Sequence, residues 1–516
     1  MEKFSEKVYL SLKMPTEDNP VSDEKRIRMA LDALGYQNIS LPLLVLRKLH
    51  PLCRIADFDI TVTLVHRDRE WIVTDVEAGD TRQHHYGLAV DYGSTTIVIQ
   101  LVDLNSGAVV GEEQVVNGQV AYGTDILTRI TFSTEDAAHA DDLQRVTVSS
   151  FEELLDRLTE STGIEVRKCP LMIVSGNTTM IHFLLKLDAW TVFASPYAPV
   201  TSDPGFFWGR ELAMDFEGLV YIIPAASNYV GGDIVSGLLV TDLHKQKAPG
   251  MFFDIGTNGE LVIGNREWII AGAGAAGPAL EGYISRFGMR AAEGAVDSVR
   301  IDGENLFYTT IGNKKPVGIC GSGIIDLLAQ MRLNGWINIA GELNPQASPR
   351  IRYLDGEYAA VYATAEESAF GEPLYFSQTD IMQYLDTKAA AYTMVECLLE
   401  TAGVAGEDLA HCWLSGAFPA HSDLESAITI GIFPDLPREK YTVLRNTSLE
   451  GARRLLLDYD RLAEVRMLAE NIYCVQFASI PDFLVRMQAA KFIPHTDMFR
   501  YPRILERLHG DAQIRG

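Results

Sequence analysis

The spacing of apolar positions changes period several times along this chain, and each change marks a structural element. VYLSL (8–12) alternates as a strand does, and SDEKRIRMALDALG (22–35) has helical spacing from a Ser N-cap to a Gly stop. ITVTLV (60–65) and WIVTDV (71–76) flank HRDRE, which reads as a polar hairpin tip. Residues 1–83 are thus expected to form a small α/β unit, bounded by the polar, glycine-punctuated stretch EAGDTRQHHYG. His84 and His85 in that stretch read as linker residues. Neighbours on an extended chain point to opposite faces, and no third metal ligand is evident.

A more informative pattern follows. Residues 88–116, LAVDYGSTTIVIQLVDLNSGAVVGEEQVV, read as three strands joined by a small-residue tip and an Asn-Ser-Gly turn. Residues 251–271, MFFDIGTNGELVIGNREWIIA, repeat the plan with Gly-Asn at the second turn. Each copy places an acid, glycines and hydroxyl or amide residues at its first connection. The first has Asp91 with Gly93, Ser94, Thr95 and Thr96, and the second Asp254 with Gly256, Thr257, Asn258, Gly259 and Glu260. The two Asp residues are 163 positions apart. The repetition predicts a duplicated α/β domain with a cleft between its halves, one over 84–246 and the other over 247–516.

The chemistry of such tips is phosphate binding. Glycine lets backbone N–H groups approach a polyphosphate closely, and Ser and Thr add donors. Asp91 and Asp254, at strand ends, are suited to holding Mg²⁺, which keeps much of its water. A third loop, GICGSGIID (318–326), sets Gly321, Ser322 and Gly323 at the opening of a helix-like run, where N–H groups attract anions. A fourth, WLSGAFPAHSD (413–423), places Gly416 and Ala417 where they would pack against adenosine. Close glycine packing is the alternative for both loops. Asp233, in YVGGDIVSGLL, suits either a catalytic role, orienting water for ATP hydrolysis, or a helix N-cap. Residues 377–403 read as an amphipathic helix with a capping box from Ser377 to Asp380. Lys388 on it is expected on a solvated face, with approach to the nucleotide as the alternative.

Composition narrows the partners. The net charge of −25 repels nucleic acid and anionic lipid. The first residues, MEKFSEKVYLSLKM, have charges interrupting every apolar run, unlike a signal peptide, and no apolar stretch is long enough to span a bilayer. A cytoplasmic location is expected. The six cysteines are scattered without close spacing, so no iron–sulfur cluster is expected within this chain.

With both hairpins placed, the chain resembles the reductive activators of corrinoid proteins. These are ATPases of the ASKHA superfamily, the actin-like, sugar-kinase and Hsp70 fold with its ribonuclease H-like halves. The resemblance rests on LAVDYGSTT (88–96), NGQVAYGTDILTRI (117–130), SGNTTMIHFLL (175–185), VGGDIVSGLL (230–239) and FFDIGTNGELVIG (252–264). It continues through AAGPALEGYISRFGMRAAEGAV (275–296), GICGSGIIDLLA (318–329), GAFPAHSDLESAITIGIFP (416–434) and SLEGARRLL (448–456). It implies ATP-dependent reduction of a corrinoid protein from Co(II) to Co(I), with ATP and Mg²⁺ as cofactors and homodimers as the usual state. Two departures stand out. Relatives typically carry a 2Fe-2S ferredoxin module, whereas this sequence begins at the linker-like segment, so a separate ferredoxin-like electron donor is expected. The loop expected as GAFG reads Gly416-Ala417-Phe418-Pro419, and Pro419 removes a backbone N–H there. A small-molecule kinase on the same fold, and a non-catalytic nucleotide-dependent module docking on a corrinoid protein, are the competing readings. Activators of 2-hydroxyacyl-CoA dehydratases share the fold but need cluster cysteines not found here.

Overall fold

A computed structural model describes residues 2–123, 125–256, 258–274 and 284–514. Thr257 and the segment 275–283 of the resemblance motif lie outside the described residues. The chain forms two compact units, Met1–Val240 with Thr447–Asn471, and Thr241–Asn446 with Ile472–Gly516. Among the described residues, no helix is long and apolar enough to cross a membrane.

The first unit opens with a four-stranded sheet ordered Ser5–Ser11, Asp59–Arg67, Glu70–Ala78, Ile39–Ser40. The helix Asp23–Ala33 starts at Ser22, whose hydroxyl accepts from the Lys25 amide at 3.3 Å. A second helix, Leu43–Ile55, has no counterpart in the sequence reading. Pro51 inside it looks like a helix breaker, yet Val45, Leu49 and Cys53 fall on one buried stripe at helical spacing, and that burial prevails.

His85 requires a correction. It is 2% exposed, and its Nε2 lies 3.0 Å from Ser5 Oγ, so it is a core residue rather than linker. The ring caps the N-terminal strand from the start of the next sheet, an arrangement that alternation alone does not reveal. Burial, reinforced by Lys7 and Lys3 against a weaker opposite pull from Asp103, pushes its pKa down from 6.5 to about 3. An unfolded chain therefore binds the proton that the fold excludes. The stability held by the neutral ring is present above its unfolded pKa and is lost as pH falls. Between pH 7.5 and pH 5 wild type should lose about 2 kcal/mol more than His85→Asn in denaturant unfolding. Equal losses would show that the ring is not held neutral.

The rest of the first unit is built on a six-stranded sheet. Its order is Val109–Val116, Thr96–Asp103, Tyr86–Tyr92, Leu171–Gly176, Leu219–Ile222, Gly205–Trp208. Tyr86–Tyr92 runs parallel to Leu171–Gly176, and the other partner on its hairpin side is antiparallel. One face packs the helix Ala137–Thr162 through Phe151, Leu154, Leu155 and Leu158. Helix Thr447–Leu457, far along the chain, also packs on strands Tyr86–Tyr92 and Leu171–Gly176.

The second unit repeats this plan. Its sheet is ordered Ile472–Cys474, Ile269–Gly274, Gly259–Gly264, Gly250–Ile255, His411–Ser415, Tyr441–Val443, with Gly250–Ile255 and His411–Ser415 parallel. The duplication extends to individual positions. Asp91 pairs across the parallel ladder with Ser175, and Asp254 with Ser415. A Cβ added to Gly176 would lie 2.8 Å from the Tyr92 carbonyl, and one added to Gly416 would lie 2.2 Å from the Ile255 carbonyl. In both units a Ser-Gly pair passes directly over the residue after the acid.

The central helix of the second unit, Gln378–Ala402, carries the expected capping box. Ser377 Oγ accepts from the Asp380 amide and Asp380 Oδ2 from the Ser377 amide. It is not simply amphipathic, and Lys388 is the clearest departure from expectation. Its side chain is fully buried, and Nζ donates to the carbonyls of Ala490 (2.6 Å), Phe492 (2.7 Å) and Pro494. Burial pushes its pKa well down. It does not face solvent; it ties the C-terminal segment to the helix. Lys388→Met would leave three carbonyls, two of them buried, without this donor, at a cost of about 3 kcal/mol. Denaturant unfolding and faster amide exchange over 490–494 would register this, and an unchanged midpoint would refute it.

Candidate functional site

In the first unit, Asp91 sits next to the end of strand Tyr86–Tyr92 and is half-buried. The tip that follows is tight: a Cβ on Gly93 would stand 2.6 Å from the Thr96 carbonyl, so glycine is required there. All three tip carbonyls are tied to protein donors. Gly93 O receives Asn117 Nδ2 at 2.9 Å, Ser94 O receives Arg129 Nη1 at 2.6 Å, and Thr95 O receives the Asn117 amide at 2.9 Å. Thr96 opens the next strand. Carbonyls held this way do not confront a phosphate.

Asn117 and Arg129 were missed as site-building residues in the sequence reading, although both lie in the 117–130 run that carries part of the resemblance. Arg129 is 0% exposed and also donates from Nε to the Gly123 carbonyl at 2.9 Å. Burial lowers its pKa. An arginine of this kind braces the tip from behind.

Asp233 lies in the first turn of helix Gly232–Thr241, with the Ile234 amide donating to its Oδ1 at 2.9 Å. A Cβ on Gly231 would approach Asp233 Oδ1 to 2.7 Å and the Gly176 carbonyl to 2.8 Å. The structure therefore gathers Asp91, the 93–96 tip and Asp233 at one end of the parallel strands Tyr86–Tyr92 and Leu171–Gly176.

In the second unit, Asp254 pairs directly across the hairpin with Glu260, which is buried. Two carboxylates on adjacent strands and one face repel each other, and a hard cation relieves this. The Gly256 amide donates to the Asn258 carbonyl at 2.9 Å, and Gly259 opens the return strand. Among the described residues, a Cβ on Gly256 would meet nothing within 4 Å.

Gly416 closes on this hairpin. It has φ +100°, and an added Cβ would lie 2.9 Å from Asp254 Oδ1. Ala417 begins the short helix Ala417–His421. Pro419 falls in that helix's first turn, where a backbone N–H has no intrahelical partner, so the helix loses nothing by its absence. The remaining loop is the start of helix Gly321–Leu333. There Ser322 Oγ donates to the Asp297 carbonyl at 2.9 Å, and a Cβ on Gly323 would lie 2.3 Å from the Val296 carbonyl. Ser322's hydroxyl and Gly323 thus seat the helix on its neighbouring strand. The buried Gly321 precedes them in the same turn.

Two sheets that share a five-strand order, each with an acid-ended strand and a glycine hairpin, define a nucleotide-binding protein of the actin-like, sugar-kinase and Hsp70 class. The chain belongs to the RACo family. Residues 1–83 match the RACo linker region, 86–246 the RACo middle region and 248–505 the C-terminal ASKHA domain of RACo. Among solved structures, a "reductive activator for corrinoid, iron–sulfur protein" is similar at 34% identity and TM-score 0.88, over 97% of this chain and 81% of that one. The "corrinoid activation enzyme RamQ" of Eubacterium limosum is 27% identical over 80% of this chain and 71% of its own length. The "[Co(II) methylated amine-specific corrinoid protein] reductase" of Methanosarcina barkeri is 24% identical over 75% of this chain and 73% of its own.

Proposed function

We propose that this protein is an ATP-dependent activator that reduces the cobalt of a corrinoid protein from Co(II) to Co(I), with electrons from a separate donor. The observation that carries the reading is the likeness to a reductive activator over 97% of the chain. The geometry of both glycine hairpins is consistent with it. Each unit's glycine hairpin is suited by itself to phosphate, and Asp91 and Asp254 are each suited to orienting Mg²⁺. Carboxylate oxygens beside Ser and Thr hydroxyls suit that hard ion. When bound, ATP supplies binding and hydrolysis energy to an uphill one-electron step. Asp233 orients the water that attacks it.

The electron enters from outside these residues. Five of the six cysteines are buried, and burial pushes the thiols of Cys169 and Cys412 up to about 12. The test is an anaerobic absorbance assay of Co(II) to Co(I) conversion on a candidate corrinoid protein, with Mg-ATP and a low-potential reductant, with and without a ferredoxin. Conversion needing both this protein and ATP is the expected result. No conversion despite confirmed ATP binding would overturn the reading in favour of a kinase or a nucleotide-dependent docking module.

A further inference from the structure

Three buried serines from three separate elements converge behind Asp91. Ser448, in the first turn of helix Thr447–Leu457, donates to Asp91 Oδ1 over 2.8 Å. Its Oγ lies 2.9 Å from Ser175 Oγ, on the strand beside Asp91, and Ser175 Oγ lies 2.8 Å from Ser236 Oγ in helix Gly232–Thr241. Ser175 and Ser236 are 0% exposed and Ser448 is 6% exposed.

Proton counting fixes the direction of this chain. A hydroxyl has one proton, and an ionised carboxylate can only accept. The Ser448 proton is committed to Asp91, so Ser175 must donate to Ser448, and Ser236 to Ser175. Three O–H dipoles then run head to tail toward the carboxylate, an alignment that strengthens each bond in a low-dielectric interior. Gly451, one turn beyond Ser448, makes the approach possible: an added Cβ would lie 2.2 Å from the Ser236 carbonyl. Ser415, the counterpart of Ser175, commits its proton to the Arg445 carbonyl at 2.9 Å.

We propose that Ser448, aligned by Ser175 and Ser236, is a positioning residue that holds the Asp91 carboxylate in one rotamer for binding the metal of the metal–nucleotide complex. This rests on the proposed role of Asp91 as a metal-orienting carboxylate. The helix joining Ser448 to Gly451 makes the carboxylate's posture depend on contact with the helix that carries Asp233.

The test uses Mn²⁺ as the probe, titrated by electron paramagnetic resonance into the whole protein holding a non-hydrolysable ATP analogue. Thermal midpoints are recorded for every variant. Ser448→Ala should weaken Mn²⁺ binding roughly 10-fold, the scale of one hydrogen bond to a charged group, and Ser448→Thr should restore it to within about twofold. Ser175→Ala, which removes a hydroxyl bonded to no ligand, should weaken it about threefold through loss of alignment. A merely structural role would lower the midpoints and leave Mn²⁺ affinity unchanged, which overturns the proposal. If Asp91→Ala loses Mn²⁺ binding while Ser448→Ala keeps it, the proposal alone fails. If Asp91→Ala keeps it as well, the metal role of Asp91 fails too.

Discussion

Asp254→Ala is expected to weaken Mg-ATP binding by on the order of 100-fold, the largest binding defect of any single change in the second hairpin. Asp254 pairs directly opposite Glu260, and Gly416 closes to within contact of its Oδ1. The carboxylate is therefore shared by the hairpin and the loop after strand His411–Ser415. Its removal takes away half of a pair of facing carboxylates suited to a divalent cation. The backbone ladders on either side of Asp254 do not depend on its side chain, so the fold should survive. Calorimetric titration with and without Mg²⁺ separates the outcomes. A metal-orienting acid predicts a large loss with Mg²⁺ and little without it. Unchanged affinity in Mg²⁺ would remove Asp254 from the site.

The second large effect concerns turnover. Asp233→Asn should bind nucleotide within about threefold of wild type and hydrolyse it about 100-fold or more slowly, the range expected for loss of a proton-handling group. The choice of asparagine matters. Its Oδ1 still accepts from the Ile234 amide, so the helix start is preserved while the negative charge is lost. Alanine would remove both and separate nothing. Phosphate release measured beside nucleotide binding gives the answer. Unchanged release would reduce Asp233 to a first-turn helix residue that only holds the Ile234 amide.

Much of this architecture was legible because local chemistry repeats. Asp91 and Asp254, each followed by glycines and flanked by strands, announced the duplication before any pairing was known. The Ser-Gly pairs at 175–176 and 415–416 were equally visible and carry the same message, but each lies in a different local context and was not matched to the other. What escaped was set by distant packing. Lys388 has an ordinary helical setting, and only the carbonyls of Ala490, Phe492 and Pro494, about a hundred positions away, make a buried cation tolerable. Arg129 and Asn117 look like polar surface residues until the tip they brace is folded against them. Ser448 sits in a motif that signalled kinship, with nothing nearby to reveal that its partner is Asp91.

The Thr447–Leu457 helix also has a consequence for how the protein is made. The first unit is interrupted at Val240 and regains this helix only after residues 241–446 have been synthesised. Leu449, Ala452, Leu455 and Leu456 are buried in the finished molecule. On the ribosome, the strands bearing Asp91 and Ser175 therefore wait for their covering helix while the whole intervening segment emerges. During that interval apolar surface stays uncovered and Asp91 lacks the Ser448 donor. Both acid-bearing halves therefore wait on the end of the chain, the first for Thr447–Asn471 and the second for Ile472–Gly516.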